Sequence, residues 1–158
     1  MHSILAMGAP LHSLHREQWV PQSLDRVFEF FQDPYNLQHI VPPHMRFQVV
    51  SHEGTLIRYR LRILGFPARW RTRITTWESP IRFVDTQLNG PYVRWEHLHT
   101  FEPRDDGVVL SDHVTYQVPF GPLGELLHRL LITHELRRIF DYRQQAIADR
   151  FSGGVVQR

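Results

Sequence analysis

The order of hydrophobic patterns predicts an α+β domain: a curved antiparallel sheet of about six to seven strands wrapped on one long C-terminal helix, with two short helices after the first strand. Three observations carry this. Alternation of period two runs through most of residues 47–118 and is interrupted by Gly- and Pro-containing turns. From Leu123 to Phe151 the apolar spacing changes to three and four. The chain has 158 residues, which leaves room for one domain over 11–151, with flexible termini at 1–10 and 152–158.

Leu11 to Val20 reads as a first strand of weak alternation, ended by Pro21. Ser23 is placed to cap a helix carrying Leu24, Val27, Phe28 and Phe31, with Asp25 in its first turn. Asp33-Pro34 stops that helix, because the residue before a proline avoids the helical region. Tyr35 to Ile40 forms a second short helix, closed by Pro42-Pro43. Strands are then expected at Phe47–Ser51, Leu56–Leu64, Phe66–Trp77, Ile81–Leu88, Tyr92–Phe101 and Val108–Val118. Their turns fall at Gly65, at Asn89-Gly90-Pro91 and at Arg104-Asp105-Asp106-Gly107. Pro119-Phe120-Gly121-Pro122 breaks the pattern and opens the last helix. Leu126, Leu127, Leu130, Leu131, Ile139, Phe140, Ile147 and Phe151 are its expected core residues, punctuated by Arg137, Arg138, Arg143 and Arg150. One helix, about 10 Å across, does not fill a strongly curved sheet, so a cavity is expected between them.

Composition removes several chemistries. There is no Cys, hence no disulfide, thiolate nucleophile or Cys-ligated metal. All 18 basic residues are Arg, so no Schiff-base or P-loop lysine is available. The pI of 9.4 accompanies a net charge of only +2; it is high because little titrates between His and Arg. No run approaches the length of a membrane span, and Met1 to Ser13 lacks the marks of a signal peptide, so a cytoplasmic protein is expected.

Several motifs together carry a family resemblance. They are the Ser23–Asp33 helix ending in Asp-Pro, Pro42-Pro43, Phe83-Val84-Asp85-Thr86-Gln87, Gly90-Pro91, Trp95 through Phe101 (Trp-Glu-His-Leu-His-Thr-Phe), Asp112, and Pro119-Phe120-Gly121-Pro122. Over residues 11–151 the chain resembles the START and plant-allergen-like superfamily with its helix-grip fold. Within it, the chain resembles the bacterial polyketide-cyclase/dehydrase-like group, also described as SRPBCC or CoxG-like. The resemblance implies a cavity for a hydrophobic small molecule more firmly than it implies a reaction.

Strand parity places the polar candidates. Trp95, His97, His99 and Phe101 share a face that should point inward, and so do Phe83, Asp85 and Gln87. Asp112 lies on the apolar face of the last strand with Val114 and Tyr116. Tyr59 and Trp70 lie on the inner faces of earlier strands. The expected ligand-binding set is therefore Tyr59, Trp70, Phe83, Asp85, Gln87, Trp95, His97, His99, Asp112 and Tyr116. Three readings of its polar members stand open. They form a structural His–Asp network, a polar floor for the head group of a lipid, quinone or polyketide-like ligand, or an acid/base pair with Asp112 orienting His97 or His99 in a cyclase or dehydratase. Two His at i and i+2 beside carboxylates resemble a metal site only loosely, and neither metal nor cofactor is expected. His128 and His134 read as a solvent contact and a helix-face packing residue.

A second feature is an arginine hairpin. Arg58, Arg60 and Arg62 alternate on one strand and Arg69, Arg71 and Arg73 on the next; counting back from Gly65 brings Arg62 near Arg69, Arg60 near Arg71 and Arg58 near Arg73. The bland reading is a solvated outer face. The functional one is an adaptor surface for an anionic membrane or an acidic protein. Nucleic acid is disfavoured because the aromatic residues point inward.

Overall fold

The structure is a computed structural model that describes residues 9–152. The expected flexible ends at 1–8 and 153–158 lie outside the described residues, and Ala9 is tied to the sheet by Gln117, whose Nε2 donates to its carbonyl at 2.9 Å. The elements in order are β1 (His12–Val20), α1 (Leu24–Gln32), 3₁₀ turns at Pro34–His39 and Pro43–Met45, β2 (Gln48–Glu53), β3 (Leu56–Ile63), β4 (Phe66–Glu78), β5 (Arg82–Asn89), β6 (Arg94–Arg104) and β7 (Gly107–Gln117). The closing helix follows as α2 (Gly121–Leu127), a π-helical turn (His128–Ile132) and α3 (Thr133–Ser152). The strands make one antiparallel sheet in the order β1-β7-β6-β5-β4-β3-β2. The α+β sheet wrapped on a long C-terminal helix is thus as the residue pattern predicts.

Local chemistry sets the ends. The Ser23 side chain accepts from the Arg26 amide and starts α1; Asp33 stops it and caps the following 3₁₀ turn through the Tyr35 amide at 3.0 Å. Register shifts leave Val50 of β2, Thr75 of β4 and Leu88 of β5 without a ladder partner, and these bulges bend the sheet around its contents.

The β3–β4 turn has two residues, Leu64 at φ 50° and Gly65 at φ 82°, because Ile63 pairs with Phe66. Two left-handed positions make the hairpin turn that suits strand twist. This corrects the expected arginine register. Arg60 faces Arg69 and Arg58 faces Arg71, while Arg62 faces Pro67 and Arg73 faces Leu56.

The closing helix is longer than its core. Leu136, Phe140, Ile147 and Phe151 are buried, but Leu123, Leu126, Leu127, Leu130 and Leu131 are exposed, with Leu126 53 % accessible and Phe140 4 %. The first turns carry an apolar face that the sheet does not cover, which corrects the expectation that the leucine run joins the core. Gly124 anchors this end: a Cβ there would collide with the Pro119 carbonyl, so the helix begins folded tightly against the end of β7. The two helix histidines also exchange places with expectation. His128 is buried, its Nε2 2.8 Å from the Tyr116 hydroxyl, and His134 is exposed.

Two apolar clusters result. One gathers Val20, Val27, Phe28, Phe31, Phe83, Phe101, Leu110, Ile147 and Phe151 under α1. The other joins Trp95, Val114, Tyr116 and Val118 to Leu136 and Phe140.

Candidate functional site

The polar groups singled out by strand parity meet between the clusters. Pairing of β5, β6 and β7 sets Asp85 opposite His97 and His99 opposite Asp112. The two imidazoles stack with centroids 3.7 Å apart; Phe83 stacks on the far side of His99 at 4.2 Å, and Phe140 meets His97 edge-on at 5.7 Å. His97 Nε2 is 2.8 Å from Asp112 Oδ1, and His99 Nε2 is 2.7 Å from Asp85 Oδ2. His99 Nδ1 lies 3.4 Å from Asp112 Oδ1.

The fifth member is Arg143 of α3. Its Nε donates to Asp112 Oδ2 and its Nη2 to Oδ1, both at 2.8 Å, and its guanidinium lies 5.3 Å over the Phe31 ring. Sequence patterning treated Arg143 as one of several arginines punctuating the helix. A signal was present: Leu136, Phe140, Arg143 and Ile147 step by four, three and four, so Arg143 stands on the buried stripe.

Electrostatics divides the roles. Burial raises the Asp112 carboxyl, but Arg143 and the two imidazoles overcome it and hold the group well below the usual carboxylate range. Asp85 is likewise lowered against the effect of burial, by the His99 hydrogen bond and the neighbouring positive charges. Burial and the charge of His99 push His97 down, while His99, also buried, is pushed up by its contacts with Asp112 and Asp85. His99, with a carboxylate oxygen near each ring nitrogen, is the ring that favours a proton; one imidazolium with Arg143 would balance the two carboxylates, and a second would leave net charge in an apolar enclosure.

This cluster forms the floor of two adjacent chambers. The first, about 160 Å3, lies beneath α3 and the 3₁₀ turns, with Trp70, Trp95, Leu61, Leu136, Ile139 and Phe140 in its wall. The second, about 450 Å3, opens toward the β2–β3 turn, walled by Phe31, Ile57, Ile74, Trp77 and Phe83. Leu37, Tyr59, Asp85 and His99 line both. Burial and the Asp85 charge raise the Tyr59 phenol well above its usual value, keeping it protonated.

Seven of the ten expected ligand-binding residues line a chamber: Tyr59, Trp70, Phe83, Asp85, Trp95, His97 and His99. Three do not. Asp112 lies behind the histidines, gripped by Arg143. Gln87 is spent on the β5–β6 turn, its Nε2 donating to the Tyr92 carbonyl at 2.7 Å and its Oε1 accepting from the Tyr92 amide at 3.3 Å. Tyr116 shares the inner face with Trp95, their rings 5.9 Å apart, but lines neither chamber, and its hydroxyl is bonded to His128. The pattern missed the walls supplied by irregular backbone, Leu37 to Phe47, since such segments have no period to read.

Two groups place metal-ligating atoms close together: Asp85, His97 and His99, and His12, Glu125 and His128. In the first, His97 Nε2 is taken by Asp112 and His99 Nε2 by Asp85, and the Arg143 guanidinium stands 3.5 Å from His99 Nδ1, so the nitrogens are already engaged. In the second, the His12 and His128 rings stack 3.7 Å apart at 22°, so their nitrogen lone pairs run side by side instead of converging. His12 instead bonds Glu125 at 3.0 Å, tying β1 to α2.

A family model described as "Polyketide cyclase / dehydrase and lipid transport" matches residues 12–151. No curated protein matches. Among solved structures, the chain is similar to the Zhui aromatase/cyclase from Streptomyces sp. R1128, with TM-score 0.74 and 15 % identity over 94 % of this chain and 98 % of that one. It is also similar to a START superfamily protein from Mycobacterium smegmatis, with TM-score 0.70 and 13 % identity over 89 % and 97 %. A third is TTHA0849 from Thermus thermophilus, with TM-score 0.69 and 21 % identity over 92 % and 100 %. These similarities establish a shared fold. No helix among the described residues is long and apolar enough to cross a membrane.

Proposed function

The chain belongs to the polyketide cyclase / dehydrase and lipid transport family, and from that premise we propose that it binds or carries a hydrophobic or amphipathic small molecule, of lipid, quinone or polyketide-like character, in the cytoplasm. The observation that carries the reading is the pair of apolar chambers meeting on Tyr59, Asp85 and His99. Pockets of this kind bury an apolar body and orient it through a few placed polar groups. Trp70, Trp95 and Phe83 would bury that body, and Asp85 with the histidines would read its polar part.

The cyclase or dehydratase alternative has less support. Asp112 is committed to Arg143 and His99 to Asp85, which leaves His97 Nδ1, Asp85 and the Tyr59 hydroxyl to face a substrate, with no acid/base pair oriented by Asp112 among them. A filled interior would have favoured a pure adaptor; the chambers speak for a ligand.

Native mass spectrometry of gently purified protein, followed by organic extraction, tests the proposal. The expected result is a mass increment that disappears on extraction and yields an apolar molecule. Protein that is empty and takes up no member of a panel of apolar probes would contradict it.

A second reading concerns the outer face, which would meet an anionic surface. Arg58, Arg60, Arg62, Arg69, Arg71 and Arg73 are all exposed, and none has a carboxylate partner among the described residues. Arg58, Arg60, Arg69 and Arg71 border a shallow groove of about 260 Å3. Of the two partners expected for this face, a membrane is favoured over an acidic protein by the apolar residues beside it. Leu64 and Phe66 are exposed at the hairpin tip, and Leu64 also lines the first chamber.

A further inference from the structure

We propose that the cavity selects for ligands carrying a hydrogen-bond donor, a neutral phenol, enol or alcohol hydroxyl, and against carboxylates and against analogues whose oxygen can only accept. The inference rests on the cavity-binding reading above and gives its polar floor a sign.

Proton placement starts at Asp112. A carboxylate held through both oxygens by one guanidinium is ionised and can only accept. The 2.8 Å contact from His97 Nε2 to Asp112 Oδ1 therefore fixes the proton on Nε2. His97 stacks on His99 at 3.7 Å, and His99 is the ring in contact with both carboxylates. With Arg143 and one imidazolium the charges already cancel, so His97 is neutral. Its Nδ1 is then a bare acceptor. The carboxylate oxygen nearest to it, Asp85 Oδ2, stands 3.9 Å away, too far for a hydrogen bond and itself an acceptor.

Asp85 supplies the second acceptor. Its Oδ2 takes the His99 proton. Its Oδ1 has no partner among the described residues, yet none of their buried side-chain polar atoms is left unpaired. Oδ1 is therefore not sealed in protein; it opens on the chambers whose wall Asp85 forms. Among the described residues the one cation at the floor besides His99 is Arg143; it borders the first chamber, but its two 2.8 Å bonds go to Asp112 and its Nη2 also stands 3.5 Å from His99 Nδ1.

A carboxylate ligand would meet the Asp85 charge and bring a net negative charge to a floor whose two cations, Arg143 and His99, are already matched by Asp112 and Asp85. A ketone or ether would cover Asp85 Oδ1 and His97 Nδ1 without supplying a proton to either, leaving a buried anion short of a partner. A hydroxyl fits: it donates to Asp85 or His97, and its oxygen can accept from Tyr59, whose phenol lines both chambers and has no hydrogen-bond partner among the described residues. Since both chambers share this floor, the hydroxyl would sit where the ligand's two apolar portions join, or at the end of a shorter ligand.

Calorimetric titration at pH 7 with 2-naphthol, 2-methoxynaphthalene, 2-naphthoate and 2-methylnaphthalene tests this in the wild type and in Asp85→Asn. A merely greasy pocket would prefer the ether and the hydrocarbon. The expected result is 2-naphthol binding about 10- to 100-fold tighter than its methyl ether, as a hydrogen bond to a charged acceptor provides, with naphthoate weakest. In Asp85→Asn the naphthol preference should shrink to a few-fold. Equal or tighter binding of the ether, or tight binding of naphthoate, to the wild type would overturn the inference while leaving the cavity reading intact; this series decides even if the variant fails to fold. Failure of all four to bind would remove the cavity reading and the inference with it.

Discussion

Asp112 is the residue on which the site turns, because it accepts from His97 and twice from Arg143 while buried among aromatic rings. Removing one partner of a buried ion pair strands the other, so Arg143→Met should lower the unfolding free energy by about 3–5 kcal/mol, and Arg143→Met with Asp112→Asn should recover part of it. Urea denaturation of the wild type and the two variants measures both. The histidines give the stability curve two opposite slopes. His99 is raised, so the native state holds a proton that the unfolded chain releases above its ordinary value of 6.5; that stability is present below 6.5 and is lost as pH rises through the folded value. His97 is lowered, so below 6.5 the unfolded chain takes up a proton the native state refuses, and stability falls there as pH drops. Denaturation midpoints from pH 5 to 9 should show a loss above 6.5 that His99→Gln flattens; an unchanged slope in the variant would contradict this. At this scale, parity of two placed His97, His99, Asp85 and Asp112 correctly on inner faces. It could not show that Gln87 would be consumed by a turn, or that a cation from the other end of the chain would claim Asp112, since neither partner is set by strand alternation.

Elements were legible where a period governs them. β3, β4, β6 and β7 alternate cleanly, and the sheet buries the faces that alternation selects. β1 alternates weakly in sequence because its inner face meets polar atoms of α3: Arg16 bonds Asp141 at 3.2 Å and Gln18 donates to the Gln144 carbonyl at 3.1 Å. The arginine ladder was legible as a face but not in register, because a turn centred on Gly65-Phe66, which the expected pairs require, and the observed one at Leu64-Gly65 give the same alternation and differ only in which residues face each other. The observed register sets Arg58 against Arg71 and Arg60 against Arg69, like charges directly opposed at a cost to the sheet. A surface that keeps such pairs is expected to use them. Pelleting with vesicles containing phosphatidylserine should capture the protein at low salt and release it at high salt. Replacing Arg58, Arg60, Arg69 and Arg71 by Gln should abolish capture without loss of stability. Equal pelleting with neutral vesicles, or full capture of the variant, would remove this role.

The whole molecule is a bent sheet whose single long helix covers only part of its inner face. Fold class and the presence of a cavity follow from that mismatch and are readable in the order of elements. The division into two chambers is not, because it depends on the 3₁₀ turns and on where the Tyr59 ring falls. The exposed Leu123, Leu126, Leu127, Leu130 and Leu131 offer a competing apolar surface, so uptake of a probe does not by itself locate its site. Methyl-resolved NMR during titration with 2-methylnaphthalene separates the two most directly. The chambers predict that the methyl resonances of Leu37, Ile57, Leu61, Ile74 and Ile139 shift and saturate together while those of Leu126 and Leu130 stay in place. Shifts confined to the helix leucines would contradict the account and move binding to the surface.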